Sequence, residues 1–221
     1  MNVPGWDVQL LNLFAALLLL LSFAMLSQRR IVSLVNLLAL QGAVLCAATL
    51  LLAWRTQQTH LYLSAALTLG LKVVLLPWLL HRLIRRLEVY WETEPLINAA
   101  GTMMVGLLTV IFSFGLAQPI AELASTTTKS ALGIAVSVIL LAFLMMITRR
   151  KALSQVIGFL SMENGLFFGA MSATYGMPMV VELGVALDVL VAMLVLGVFF
   201  FQIREQFDSL DLHHLESLKE D

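Results

Sequence analysis

Ser130-Ala-Leu-Gly-Ile-Ala-Val-Ser-Val-Ile-Leu-Leu-Ala-Phe-Leu-Met-Met-Ile-Thr148 contains no Asp, Glu, Lys or Arg, and Arg149-Arg150-Lys151 follows it at once. A helix rises about 1.5 Å per residue, so about 20 apolar residues cross a hydrocarbon layer about 30 Å thick. This stretch meets that length and ends in the basic cluster expected of a cytoplasmic flank. The same measure, carried outward, predicts an all-α, polytopic membrane protein with seven spans: about 8–27, 32–54, 61–81, 97–117, 130–148, 153–175 and 179–203. Residues 1–203 form one transmembrane domain on this reading, and 204–221 an acidic, amphipathic cytoplasmic tail.

The composition agrees. Of 221 residues, 60% are hydrophobic and 12% charged, and a soluble domain carries roughly twice that charged share. The formal net charge of −1 makes no case for nucleic acid or an acidic substrate. The single cysteine, Cys46, has no partner for an internal disulfide and sits in an apolar run, as a small buried hydrophobe would. The chain has no CxxC, no glycine-rich phosphate loop and no HExxH. Its histidines (His60, His81, His213, His214) fall at predicted helix ends or in the tail. Metal, haem and other cofactors are therefore not expected in this chain. Arg29-Arg30 follows the first apolar stretch rather than preceding it, the wrong order for a cleaved signal peptide.

Orientation follows from the basic residues. Arg29, Arg30, Arg82, Arg85, Arg86, Arg149, Arg150, Lys151, Arg204 and Lys219 fall on one side. Arg55 and Lys129 fall on the other, and Lys72 lies within a span. The positive-inside rule places the N-terminus outside and the C-terminus in the cytoplasm of a bacterial inner membrane. Residues 87–96, with Glu88, Tyr90, Trp91 and Glu92, read as an interfacial segment on the cytoplasmic side. The tail, with Leu210, Leu212, Leu215 and Leu218 among its charges, reads as a docking segment for a cytoplasmic partner or as a solvated helix.

Three charges fall inside spans: Lys72, Glu163 and Asp188. Each lies about nine to eleven residues into its span, roughly 13–17 Å deep and near mid-membrane. A charge there costs at least ~2.5–3.5 kcal/mol on insertion scales, so it turns toward protein or water and takes a partner. Two readings stand: a proton relay of Glu163, Asp188 and Lys72, or a polar staple holding three helices in register. Glu182, near the outer end of the last span, is a weaker relay candidate beside a plain interfacial reading. Asn164 is placed to hydrogen-bond across a helix pair, and Gly165 to admit close approach. Pro77 removes the bond to the Val73 carbonyl and kinks the third span beside Lys72.

A weak parallel repeat relates about 29–86 to 149–204. Arg29-Arg30 leads to Asn36…Gln41-Gly42, and Arg149-Arg150 leads to Gly158…Asn164-Gly165; each half then has a span with a central charge, Lys72 or Asp188. The strings Gly158-Phe-Leu-Ser-Met-Glu-Asn-Gly165, Val181-Glu-Leu-Gly-Val-Ala-Leu-Asp188, Leu71-Lys-Val-Val-Leu-Leu-Pro77 and Leu210-Asp-Leu-His-His-Leu-Glu-Ser-Leu-Lys219 resemble the hydrogenase-4 component E family along the whole chain. The C-terminal part is in turn similar to the NuoK-type subunit of complex I and of Mrp antiporters, which carries buried carboxylates on adjacent helices. The resemblance implies that Glu163 matches the first of these and that Asp188, an Asp where the family has Glu, best matches the second.

That resemblance implies a non-redox subunit in the membrane arm of a nickel–iron hydrogenase complex such as a formate hydrogenlyase. Its expected partners are antiporter-like and quinone-site-like membrane subunits and a peripheral hydrogenase arm that holds the nickel–iron and iron–sulfur centres. The expected role is proton or cation translocation coupled to electron transfer, with no catalytic residue in this chain. The rivals are a scaffold subunit without an ion path, a subunit of an Mrp-type antiporter, and an independent small transporter.

Overall fold

The computed structural model describes residues 5–87, 98–122, 126–174 and position 197, and every regular element among them is helical. The elements are α1 (Trp6–Ser27), α2 (Ile31–Thr56), α3 (Thr59–Thr68), a π-helix (Leu69–Leu75), α4 (Leu76–Leu87), α5 (Ala99–Glu122), α6 (Thr126–Thr148) and α7 (Ala152–Thr174). α3, the π-helix and α4 run on as one rod, the predicted third span. Lipid offers no hydrogen bonds, so a spanning backbone must satisfy itself, which these apolar helices do. Six helices among the described residues are long and apolar enough to cross a membrane, matching the first six predicted spans within a few residues, except that the third and fourth run on by about five. Apart from position 197, the predicted seventh span, 179–203, lies outside the described residues, as do the turn before it, residues 88–97 and the tail.

Two ends are distinguishable. At one, Trp6 and Trp54 lie with ring centroids 5.2 Å apart and Asp7 pairs with Arg55 at 3.0 Å, which ties the start of α1 to the end of α2. Gln57 turns the chain there with a left-handed φ of 55°. At the other, the Arg149 guanidinium donates to the carbonyls of Leu26 (2.9 Å) and Gln28 (2.6 Å). Those are carbonyls that the end of α1 leaves without helical donors. Arg149 is thus buried and fastens the α6–α7 turn to the α1–α2 turn. From the sequence, Arg149 is legible as a topogenic charge and as the start of the second repeat half, not as a helix-end clamp.

The core lies in two apolar clusters. One, at the arginine end, includes Met25, Leu34, Leu80, Leu141, Met145 and Ile157. The other, toward the tryptophan end, includes Leu18, Leu45, Leu61, Val138, Phe168 and Met171. α5 packs on α6 and α1 and turns a broad apolar face outward, with Met104, Leu108, Ile111 and Phe112 exposed, as a lipid-facing helix would.

The third span is irregular just before Pro77. Residues 69–75 wind as a π-helix, which the sequence does not announce, and its last bond runs from the Leu76 N–H back to the Leu71 carbonyl. Wider winding moves the carbonyl four residues back away from the proline ring, which relieves the clash a regular helix would suffer. The irregularity carries Lys72 at its centre.

Candidate functional site

Lys72 sits where the π-helix presses against α2. A Cβ added to Gly42 would lie 3.2 Å from the Lys72 Cβ and 3.5 Å from its carbonyl oxygen, so glycine lets the two backbones meet without a shift of the neighbour. Across the bundle, a Cβ on Gly165 would meet Val138 at 2.9 Å and the Ile139 backbone nitrogen at 3.3 Å, so α7 lies hard against α6. The close approach expected at Gly165 is thus realised. Between these contacts α7 presents Glu163 and Asn164 inward, both buried.

Lys72 Nζ donates to Glu163 Oε1 at 2.9 Å and to Asn164 Oδ1 at 3.0 Å. The two charged side chains are 4% and 2% exposed, so the pair is withdrawn from solvent and its attraction is little screened. The Phe167 ring faces Lys72 Nζ at 5.4 Å to its centroid, a cation–π contact from one turn further along α7. The polar contacts continue: Asn164 Nδ2 donates to Gln41 Oε1 at 3.2 Å, and Gln41 Nε2 donates to Ser22 Oγ at 3.1 Å. Ser22 Oγ donates to the Leu18 carbonyl at 2.9 Å. A polar layer thus joins α1, α2, the third span and α7 between the two apolar clusters.

Buried hydroxyls in this bundle mostly bond to the carbonyl four residues back, as Thr49 and Ser137 do. The Ser64 and Ser172 hydroxyls are buried and have no hydrogen-bond partner among the described residues. Ser64 stands eight residues before Lys72 and Ser172 eight after Asn164, both toward the tryptophan end. Thr68, also buried, lies between Ser64 and Lys72.

Of the residues named from sequence, Lys72, Glu163, Asn164 and Gln41 come together in one layer. Gly165 and Pro77 shape the helices that carry them. Asp188 and Glu182 lie outside the described residues. Ser22, Ser64, Thr68, Phe167 and Ser172 were not singled out. A serine or a phenylalanine in an apolar span carries no signal until its neighbours are known. No group of three His, Cys, Asp or Glu side chains suited to a metal ion occurs among the described residues.

No family model and no solved structure matches the chain. It is 26% identical over 212 residues to hydrogenase-4 component E of Escherichia coli K12, covering 95% of this chain and 97% of that protein, and it matches the protein of the same description from Shigella flexneri to the same extent. These are distant relatives along nearly the full length. It is 35% identical over 212 residues, 96% of each chain, to a Mycobacterium tuberculosis protein described as uncharacterized protein Rv0085. A polytopic helical membrane protein aligned end to end at that identity belongs to the same family as Rv0085.

Proposed function

We propose that this chain is a membrane-arm subunit of a multisubunit hydrogenase complex, of the nickel–iron, formate hydrogenlyase-like kind, in a bacterial cytoplasmic membrane. In that complex the Lys72–Glu163 pair takes part in moving protons, or another cation, in step with electron transfer. Nearly full-length similarity to hydrogenase-4 component E supports the assignment to such a complex. The observation that carries the ion-moving role is the bridge from Lys72 Nζ to Glu163 Oε1, 2.9 Å long and withdrawn from solvent at mid-bundle. Ionisable residues buried at this depth are functional-site candidates by default, ion pathways and proton relays among them. A group held where its charged and neutral forms are closely balanced exchanges protons readily.

The chemistry asked of the pair is simple. Glu163 takes a proton as Lys72 releases one, which neutralises both, and reverses the exchange when charge returns on a neighbouring site. The lone hydroxyls of Ser64 and Ser172 give water polar footholds between the tryptophan end and the pair. Glu163 also answers to the first carboxylate of the NuoK-type resemblance, and Asp188 would extend the relay on the seventh span.

The test is Glu163→Gln in membrane vesicles carrying the complex, with ions moved per electron measured and subunit levels checked by blotting. The variant is expected to assemble and to move far fewer ions, with Glu163→Asp retaining part of the activity. Normal translocation by a fully assembled Glu163→Gln complex would remove the role. A scaffold reading has one observation in its favour, the unbroken hydrogen bonding from Lys72 to Ser22 across four elements. It predicts the opposite pattern: Gln harmless, Ala harmful to assembly.

A further inference from the structure

The polar layer has a direction. A lysine ammonium only donates. Asn164 must therefore turn its oxygen toward Lys72, as it does at 3.0 Å. Its NH2 group then has to point away and needs an acceptor, which is Gln41 Oε1 at 3.2 Å. Gln41 in turn points its own NH2 at Ser22 Oγ at 3.1 Å, and the Ser22 hydroxyl, having accepted, donates to the Leu18 carbonyl at 2.9 Å. Every donor in the chain faces away from Lys72, and the chain ends on a backbone oxygen that cannot reverse. All the side chains are buried, so no solvent is at hand to replace a missing partner. Amides neither gain nor lose protons in the physiological range, so this arm of the layer conducts nothing.

We infer that Gln41, backed by Ser22, is a positioning residue that locks the Asn164 amide with its oxygen toward Lys72 and thereby sets how the Lys72–Glu163 pair shares its proton. The inference rests on the proposed ion-moving role of that pair. Without an acceptor at position 41, the Asn164 NH2 group is left buried and unpaired, so the amide gains by swinging out of the layer toward another acceptor. Lys72 would then lose the Asn164 oxygen.

Position 41 offers a discriminating pair of variants. Gln41→Met keeps length and volume but has no acceptor oxygen. Gln41→Glu in its protonated form keeps both ends of the contact: its carbonyl oxygen accepts from Asn164 and its O–H donates to Ser22 Oγ as the amide did. Each would be placed in the assembled complex in membrane vesicles, beside wild type, Ser22→Ala and Glu163→Gln. Two quantities are read at equal subunit content: ions moved per electron, and the infrared carboxyl band of Glu163, isolated in each variant by subtracting the spectrum of the same variant carrying Glu163→Gln as well. The expected result is a loss of about tenfold in ion movement for Gln41→Met, the factor that one hydrogen bond to a charged group carries. The Glu163 band should shift in that variant. Gln41→Glu should restore both, and Ser22→Ala should move both slightly in the direction of Gln41→Met. An unshifted Glu163 band in Gln41→Met overturns the inference, and so does equal loss in Gln41→Met and Gln41→Glu. If Glu163→Gln alone moves ions normally, the proposed ion-moving role falls, while the band shift and its rescue still decide the placement of Asn164.

Discussion

Lys72 and Glu163 are a case where taking one partner away costs more than taking both. A buried ion pair is weak evidence of net stability, but replacing one member by a side chain that cannot hydrogen-bond to the other (Met, but not Gln) destabilises by about 3–5 kcal/mol. Lys72→Met should therefore sharply lower the amount of folded subunit and its thermal midpoint in detergent. Lys72→Met combined with Glu163→Met should recover most of that loss while abolishing ion movement. Gly42 makes a graded companion test. An alanine Cβ 3.2 Å from the Lys72 Cβ asks for a shift of a few tenths of an ångström, whereas valine forces α2 and the π-helix apart, at about 1–3 kcal/mol. Thermal midpoints should fall little for Gly42→Ala and clearly for Gly42→Val. The pairing of Lys72 with Glu163 was legible in the sequence because both charges are stranded at the same depth in apolar helices. Ser22 was not legible, because a serine in a span ordinarily satisfies itself on its own helix and gains a second role only from the amide that happens to face it.

The elements carry two further expectations. The π-helix exists because Pro77 cannot take its place in regular winding directly after Leu76. Pro77→Ala restores the missing N–H and removes the ring, so the stretch is expected to rewind toward an α-helix and to turn Lys72 by up to about 100° relative to α4, the angle of one residue of register. Ion movement should fall while subunit levels hold, and a cysteine pair chosen across α2 and the π-helix should lose cross-linking efficiency. Arg149 holds two carbonyls at the end of α1 with one planar group. Both bonds come from one guanidinium nitrogen, Nη2, and a lysine carries the charge and the N–H groups but not the planar head and reach that aim them at both carbonyls. Arg149→Lys is expected to cost about 1.5–3 kcal/mol, the range for hydrogen bonds made by a charged donor, seen as a lower thermal midpoint. Helix positions were readable from length and apolarity alone. The winding of 69–75 was not, since proline reveals that a bond is missing but not how the neighbouring turns adjust. Nor was the burial of Arg149, because a basic residue at a span end looks the same whether it faces lipid headgroups or a helix terminus.

At the scale of the molecule, the alternation of arginine-rich and arginine-poor ends predicts which faces the cytoplasm. With Cys46 replaced by alanine, a cysteine at Gln57 should react with a membrane-impermeant maleimide added to intact cells, and one at Ser27 should react only after the membrane is opened. The reverse pattern would invert the orientation. The polar layer, lying between two apolar clusters, also has an electrical meaning. Glu163 is the midpoint of α7, equally far from Ala152 and Thr174, and the clusters on either side exclude the mobile ions that would flatten the field. Most of the membrane potential must then drop in two roughly equal steps, one on each side of the carboxylate. A full elementary charge crossing the membrane gains ~2.3 kcal/mol per 100 mV. On the proposed role, a proton that reaches Glu163 from the positive side has gained about half of it, ~1.2 kcal/mol per 100 mV, and one that comes from the negative side has paid as much. The layer is thus a capacitor plate at the centre of the bilayer, and its proton occupancy should track voltage as well as pH.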